Sequence, residues 1–210
     1  MDTDRVNTAD PLDVDVEFLT ADLRSDLLRR WNDPQRRYHN ETHLRAVLRA
    51  IDALEADGES FDGTAVRLAA WCHTAEFDPT ESENNEKSAV WVERKLDPAA
   101  PVEEVARLVR LMGGHRVEAG DPNGSVLSDA DLVVLGSDPE TYDAYTHDVR
   151  HEYAHVPGDR FVAGRIAALE GLLERRSVYL TRAGRDAWER QAHANLNREL
   201  GLLRAGLGED

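Results

Sequence analysis

From Val14 to the far end of the chain, apolar residues recur at steps of three and four, and short runs of alternating polarity are absent. That period stacks side chains on one face of an α-helix, so the pattern predicts an all-α fold. Val16, Leu19, Leu23, Leu27, Leu28 and Trp31 mark a first helix beginning near Val14 and broken by Asp33-Pro34. Leu44, Val47, Leu48, Ile51 and Leu54 mark a second over 40–56, and a third covers 63–74. The acidic stretch 77–84 has no period and reads as a loop. Helices follow over 85–96 and 102–112, the latter stopped by Gly113-Gly114. Asp121-Pro122-Asn123-Gly124 carries turn residues. The short apolar segment 126–136 reads as helix, despite Val133-Val134, because helices flank it. Three longer helices over 139–155, 159–175 and 182–203 complete the pattern. No repeat and no Pro/Ser-rich linker divides it. The expectation is a single-domain helical bundle over 13–210, preceded by a flexible arm over 1–12.

The chain has 210 residues, 41% of them hydrophobic, which is enough for one sizeable core. Its formal charge of −16 opposes non-specific binding to nucleic acid, which needs a positive footprint. A solvated acidic surface accounts for that charge; a surface that docks a basic partner is the other use of it. The single cysteine, Cys72, excludes an intrachain disulfide. The polar N-terminus lacks a signal pattern, and no apolar run reaches the roughly 18 residues that span a bilayer. A cytoplasmic protein without membrane contact is expected.

Chemistry concentrates in a few histidines and aspartates. His39 and His43 are four apart, so their rings share one helix face, a common metal-ligand spacing. His73 ends an apolar helix, and His115 follows Gly113-Gly114. Asp129 and Asp131 lie within an apolar segment, where a carboxylate is costly unless something positive meets it. Each has a plainer reading: solvated histidines at a helix start, a hydrogen-bonded core histidine, a helix C-terminal cation, an N-cap.

The ordered set is more specific than its parts. Arg37-Tyr38-His39-Asn40 with His43, Trp71-Cys72-His73-Thr74, Asn85-Glu86-Lys87-Ser88-Ala89, His115, Asp129-Ala130-Asp131-Leu132, Arg150-His151-Glu152-Tyr153 and Gly164-Arg165 follow one another along most of the chain. This series resembles the HD-domain superfamily of helical metal-dependent phosphohydrolases, and its stand-alone branch in particular. The resemblance implies His39, His43, His73 and Asp129 as metal ligands. The first signature histidine falls on His39 or His43, and the closing aspartate on Asp129 or Asp131. It implies Glu86, His115 and Arg37 as catalytic groups, Glu86 as a base that orients water. Asn85, Asp131, Arg150 and Arg165, with Arg36, would surround the substrate. The implied cofactor is a divalent metal ion (Mn, Fe, Co, Ni or Mg), and the implied ligand a nucleotide or another small phosphomonoester.

One position departs from the pattern. The family's doublet is His-Asp, and here it is His73-Thr74. A neutral hydroxyl is a poor ligand for ions that rely on carboxylate charge. Two histidines and one aspartate still suffice for one ion per chain. The expectation is therefore a one-metal hydrolase, with a binding protein that has lost turnover as its alternative.

Overall fold

A computed structural model describes residues 10–206. Among the described residues the chain is all-helical, with nine α-helices and no strand. They are α1 (Ala21–Trp31), α2 (Glu41–Ala56), α3 (Gly63–Cys72), α4 (Asn84–Lys95), α5 (Val102–Leu111), α6 (Pro122–Asp131), α7 (Pro139–Glu152), α8 (Gly158–Leu173) and α9 (Arg182–Gly206). A short 3₁₀ segment, Leu132–Gly136, continues α6.

The apolar stripes seen in the sequence are the buried faces. Leu44, Val47, Leu48, Ile51 and Leu54 of α2 are all buried, as are Val66, Leu68, Ala69 and Trp71 of α3. α1 to α6 enclose the larger core; the 3₁₀ segment, α7, α8 and α9 enclose a smaller one around Leu135, Tyr142, Leu169 and Leu196. Trp188 of α9 packs against both. Fully burying side chains of this size contributes about 1.5–3 kcal/mol each. The indole of Trp31 donates to the Trp71 carbonyl at 2.9 Å, so burying it leaves no polar atom stranded and ties α1 to α3.

Three expectations change. The first helix begins at Ala21, not Val14: the Thr20 side chain accepts from the Leu23 N–H, and Phe18 just before it has φ 66°. A left-handed residue cannot sit within a helix, so Val16 and Leu19 are buried from irregular backbone. Of the arm expected over 1–12, residues 1–9 lie outside the described ones. Asp10 to Leu12 are docked: Leu12 is buried, Arg24 holds its carbonyl, and Arg45 pairs with Asp10. The Asp121-Pro122-Asn123-Gly124 turn is the first turn of α6. Asp121 accepts from the Gly124 N–H at 2.9 Å and Pro122 takes an early position that needs no N–H donor.

No helix among the described residues is long and apolar enough to cross a membrane.

Candidate metal centre

Asp131, the last residue of α6, stands where the two cores meet. Three imidazoles surround its carboxylate. His43 Nε2 is 3.0 Å and His73 Nε2 is 3.3 Å from Oδ1; His115 Nε2 is 3.3 Å from Oδ2. Each histidine is delivered by a helix end. Asn40 caps α2, accepting from the N–H groups of Thr42 and His43, which places His43 in the first turn. His73 caps the C-terminus of α3. His115 follows α5 in left-handed backbone, φ 50°, with its N–H donating to the Leu111 carbonyl. That position favours glycine, so a histidine there costs of order 1 kcal/mol.

The tautomer of His73 is fixed by its neighbours. Nδ1 lies 2.8 Å from the Ala70 carbonyl, which only accepts, so Nδ1 carries the hydrogen. Nε2 of the neutral ring is then a lone pair. It is buried and has no hydrogen-bond partner, and it faces an acidic oxygen. Two electron-rich atoms at 3.3 Å call for a positive charge between or on them. Metal ligands with bonds of about 2.0–2.2 Å sit roughly 3 Å apart in tetrahedral or octahedral arrangement, and the distances from His43 and His73 to Asp131 match that spacing. His43, His73 and Asp131 present one donor atom each, all within 4.8 Å of one another. Two histidines and a carboxylate form a set that suits a divalent transition metal. The bond from His73 Nδ1 to a backbone carbonyl, and the 3.1 Å contact of His115 Nδ1 with Ser128 Oγ, are the supports such ligands use.

Electrostatics agree. Burial would raise the pKa of Asp131, yet the imidazoles of His73, His115 and His43 around it hold it well below the usual carboxylate range. Burial pushes the His43 pKa down, against the attraction of Asp131. A neutral imidazole beside an ionised carboxylate is the protonation state a metal requires.

Asp129 belongs elsewhere, and its expected place among the ligands is corrected. Its Oδ1 accepts from the Leu180 N–H at 2.7 Å, and its Oδ2 from the Thr181 N–H at 2.8 Å and hydroxyl at 2.7 Å. It clamps the start of α9. Burial pushes its pKa up, to about 6, against those hydrogen bonds. Gly184 is required beside it, since a Cβ there would stand 2.7 Å from Asp129 Oδ2.

His39 also leaves the expected ligand set. Its Nδ1 is 2.7 Å from Oε2 of Glu152, and the other oxygen of Glu152 accepts the N–H groups of Arg37, Tyr38 and His39 at 2.8, 2.9 and 2.9 Å. Burial would raise the Glu152 pKa; the bonds from His39 and the backbone outweigh it and hold the carboxyl below its ordinary value.

At position 74 a cation stands beside the hydroxyl. Arg36 is buried, and its guanidinium donates to Thr74 Oγ1 at 3.2 Å and to the Thr74 carbonyl at 2.8 Å. It lies 5.6 Å from the ring of Trp31 and 5.2 Å from that of Phe77. Burial pushes its pKa down to about 10, so it stays charged at neutral pH.

A cleft of about 470 Å³ opens onto Asp131, His115 and His39. Tyr38, Tyr145 and Tyr153, several aliphatic side chains and Phe161 form its walls, with Arg160 and Arg165 as its cations. Arg165 is held by Glu199, at 2.7 and 3.0 Å, and by the Tyr145 hydroxyl at 2.9 Å. The other expected residues do not line it. Glu86 is on the surface, gripped by Arg110 at 2.7 and 2.8 Å. Asn85 donates to the Val109 carbonyl at 3.3 Å. Arg150 donates to the carbonyls of Tyr153 and Val156. Arg37 is exposed and borders a smaller neighbouring cavity.

No protein-family model, curated protein or solved structure matches this chain.

Proposed function

We propose that the protein is a one-metal phosphohydrolase acting on a nucleotide or another small phosphomonoester. The observation that carries this reading is His73 Nε2, a buried lone pair without a hydrogen-bond partner, turned to a carboxylate that two further imidazoles approach. His43, His73 and Asp131 would hold the ion, and His115, on the second oxygen of Asp131, would orient that carboxylate. An ion there supplies a Lewis acid for a phosphoryl oxygen and a more acidic water. The resemblance to the HD superfamily supports the same assignment, with its signature positions on His43, His73 and Asp131. Thr74 supports one ion in place of two, because a carboxylate that could bridge a second is missing.

Substrate binding falls to the cleft. Arg160 brings positive charge to a wall that otherwise is largely apolar, beside Arg165 paired with Glu199. That near charge, with the ion, outweighs the protein's distant acidic surface, which salt screens within about 10 Å. Tyrosine rings suit the flat or apolar organic part of an ester.

Elemental mass spectrometry on tag-free protein, wild type beside His73→Ala, tests the reading. About one divalent ion per chain, lost in the variant, and phosphate release from a phosphomonoester panel with Mn, Co, Ni, Fe or Mg support it. No ion in either protein after incubation with excess metal would sink it.

A second reading has its own observation, the Arg36 guanidinium on Thr74. Under it the scaffold binds a phosphorylated ligand without turnover. Its signature is a ligand-dependent rise in melting temperature with no phosphate released.

A further inference from the structure

His39 is neither a ligand of the cluster nor a solvated surface residue. Its partner Glu152 has a fully buried side chain, fixed by three consecutive backbone N–H groups. An ionised carboxylate only accepts, so His39 Nδ1 carries the hydrogen and donates to it. Nε2 is then the nitrogen available to the cleft that His39 borders. The ring is held by Phe77, 4.7 Å away between centroids, and by the edge of Tyr38 at 5.0 Å. The ring of His43 is 5.7 Å away, so His39 stands beside the candidate metal ligands without being one.

We propose that His39 is the proton-transfer residue of this site, positioned by Glu152, and that it serves the ester oxygen of the leaving alcohol. The proposal rests on the phosphohydrolase reading. In that hydrolysis the oxygen of a water molecule bonds to phosphorus and the bond from phosphorus to the alcohol oxygen breaks. The electron pair stays on the alcohol oxygen, and the Nε2 hydrogen of the protonated His39 ring goes there, releasing a neutral alcohol. The proton lost by the attacking water returns to His39, so charge and atoms balance and nothing is oxidised. Glu152 holds the tautomer and the orientation of the ring, as a buried carboxylate does behind an imidazole in acyl-transfer enzymes. A well-placed proton donor of this kind contributes about 10²–10⁴ in rate.

Leaving-group dependence separates this role from a purely structural one. The probes are phenyl phosphate, whose basic phenolate gains from a proton as it leaves, and 4-nitrophenyl phosphate, whose far less basic phenolate departs without one. With Mn(II)-loaded His39→Asn, kcat/KM for phenyl phosphate is expected to fall about a hundredfold or more, and for 4-nitrophenyl phosphate less than about tenfold. Metal content by elemental mass spectrometry is expected to match the wild type. Glu152→Gln should show the same ordering with smaller losses; should it fail to fold, His39→Asn decides alone. Equal losses on the two esters, or loss of metal from His39→Asn, overturn the proposal while leaving the phosphohydrolase reading in place. A wild type that releases phosphate from neither ester nor any member of the phosphomonoester panel overturns both.

Discussion

Asp129 and Asp131 are two residues apart on one helix turn, equally acidic in the sequence, and the fold uses them in opposite ways. Asp129 meets three donors from the start of α9, two backbone N–H groups and a hydroxyl, and every one of them carries its own hydrogen. Asp131 meets three imidazole nitrogens, and at least one of those, His73 Nε2, has no hydrogen to give while its ring is neutral. A carboxylate whose neighbours are satisfied is a structural clamp. One whose neighbours share its lack of protons leaves room for a cation. Asp129 is fully buried and Asp131 borders the cleft, and what further separates the two is the hydrogen count of the surroundings.

The strongest way to break this contrast is to remove a donor from each side. His73→Ala or Asp131→Asn is expected to take metal content from about one ion per chain to none and to lower turnover by at least about 10³-fold. Calorimetric titration with Mn(II) beside a phosphate-release assay reads both. Asp129→Ala should do the reverse. It strands three buried donors and costs about 2–4 kcal/mol, or roughly 5–15 °C in melting temperature for a chain of this size, while the folded protein keeps its ion. Metal lost from Asp129→Ala and kept in Asp131→Asn would exchange the two roles.

That choice was beyond the sequence for a geometric reason. Residues two apart on an α-helix point about 200° away from each other, so one of the two aspartates must face away from the site. The sequence does not say which, because the deciding partners, Leu180 and Thr181, lie some fifty positions downstream. Glu152 is a similar case: nothing near it announces that it will meet the backbone of residues 37–39, more than a hundred positions away. The helices were legible because their signal is local; each apolar stripe is the buried face of its own element. Where local signals misled, capping was the cause. Thr20 starts α1 later than the apolar period suggests, and Asp121 makes a turn sequence into a helix start. The doublet position was legible as unusual, but the Arg36 guanidinium beside Thr74 depends on a loop folding back across 38 residues.

His115 sharpens the comparison from the Asp131 side. Its left-handed backbone costs of order 1 kcal/mol that glycine would not incur, and its contacts with Asp131 and Ser128 offset part of that. His115→Gly is therefore expected to leave stability within about 1 kcal/mol of wild type, by urea unfolding, yet lower metal affinity or turnover about 10–100-fold, as loss of a supporting group does. A variant that matches wild type in both would reduce His115 to a helix cap.

The smallest effect is expected at Glu86, and it bounds the site on the side of α4. A general base must come within about 2.6–3.2 Å of the proton it takes, directly or through one water. Glu86 is more than half exposed and does not border the cleft, and its two oxygens are spent on Arg110. Its hydrogen bonds to Arg110 also hold its pKa below the ordinary carboxylate value, which makes it a weaker base. Glu86→Gln is therefore expected to leave kcat within about twofold, where His39→Asn lowers it strongly on phenyl phosphate. A hundredfold loss in Glu86→Gln would mean that the first turn of α4 releases Arg110 and reaches the cleft when substrate is bound. The proton chemistry would then belong to α4, and His39 with Glu152 would share with Asp129 the role of holding helices together.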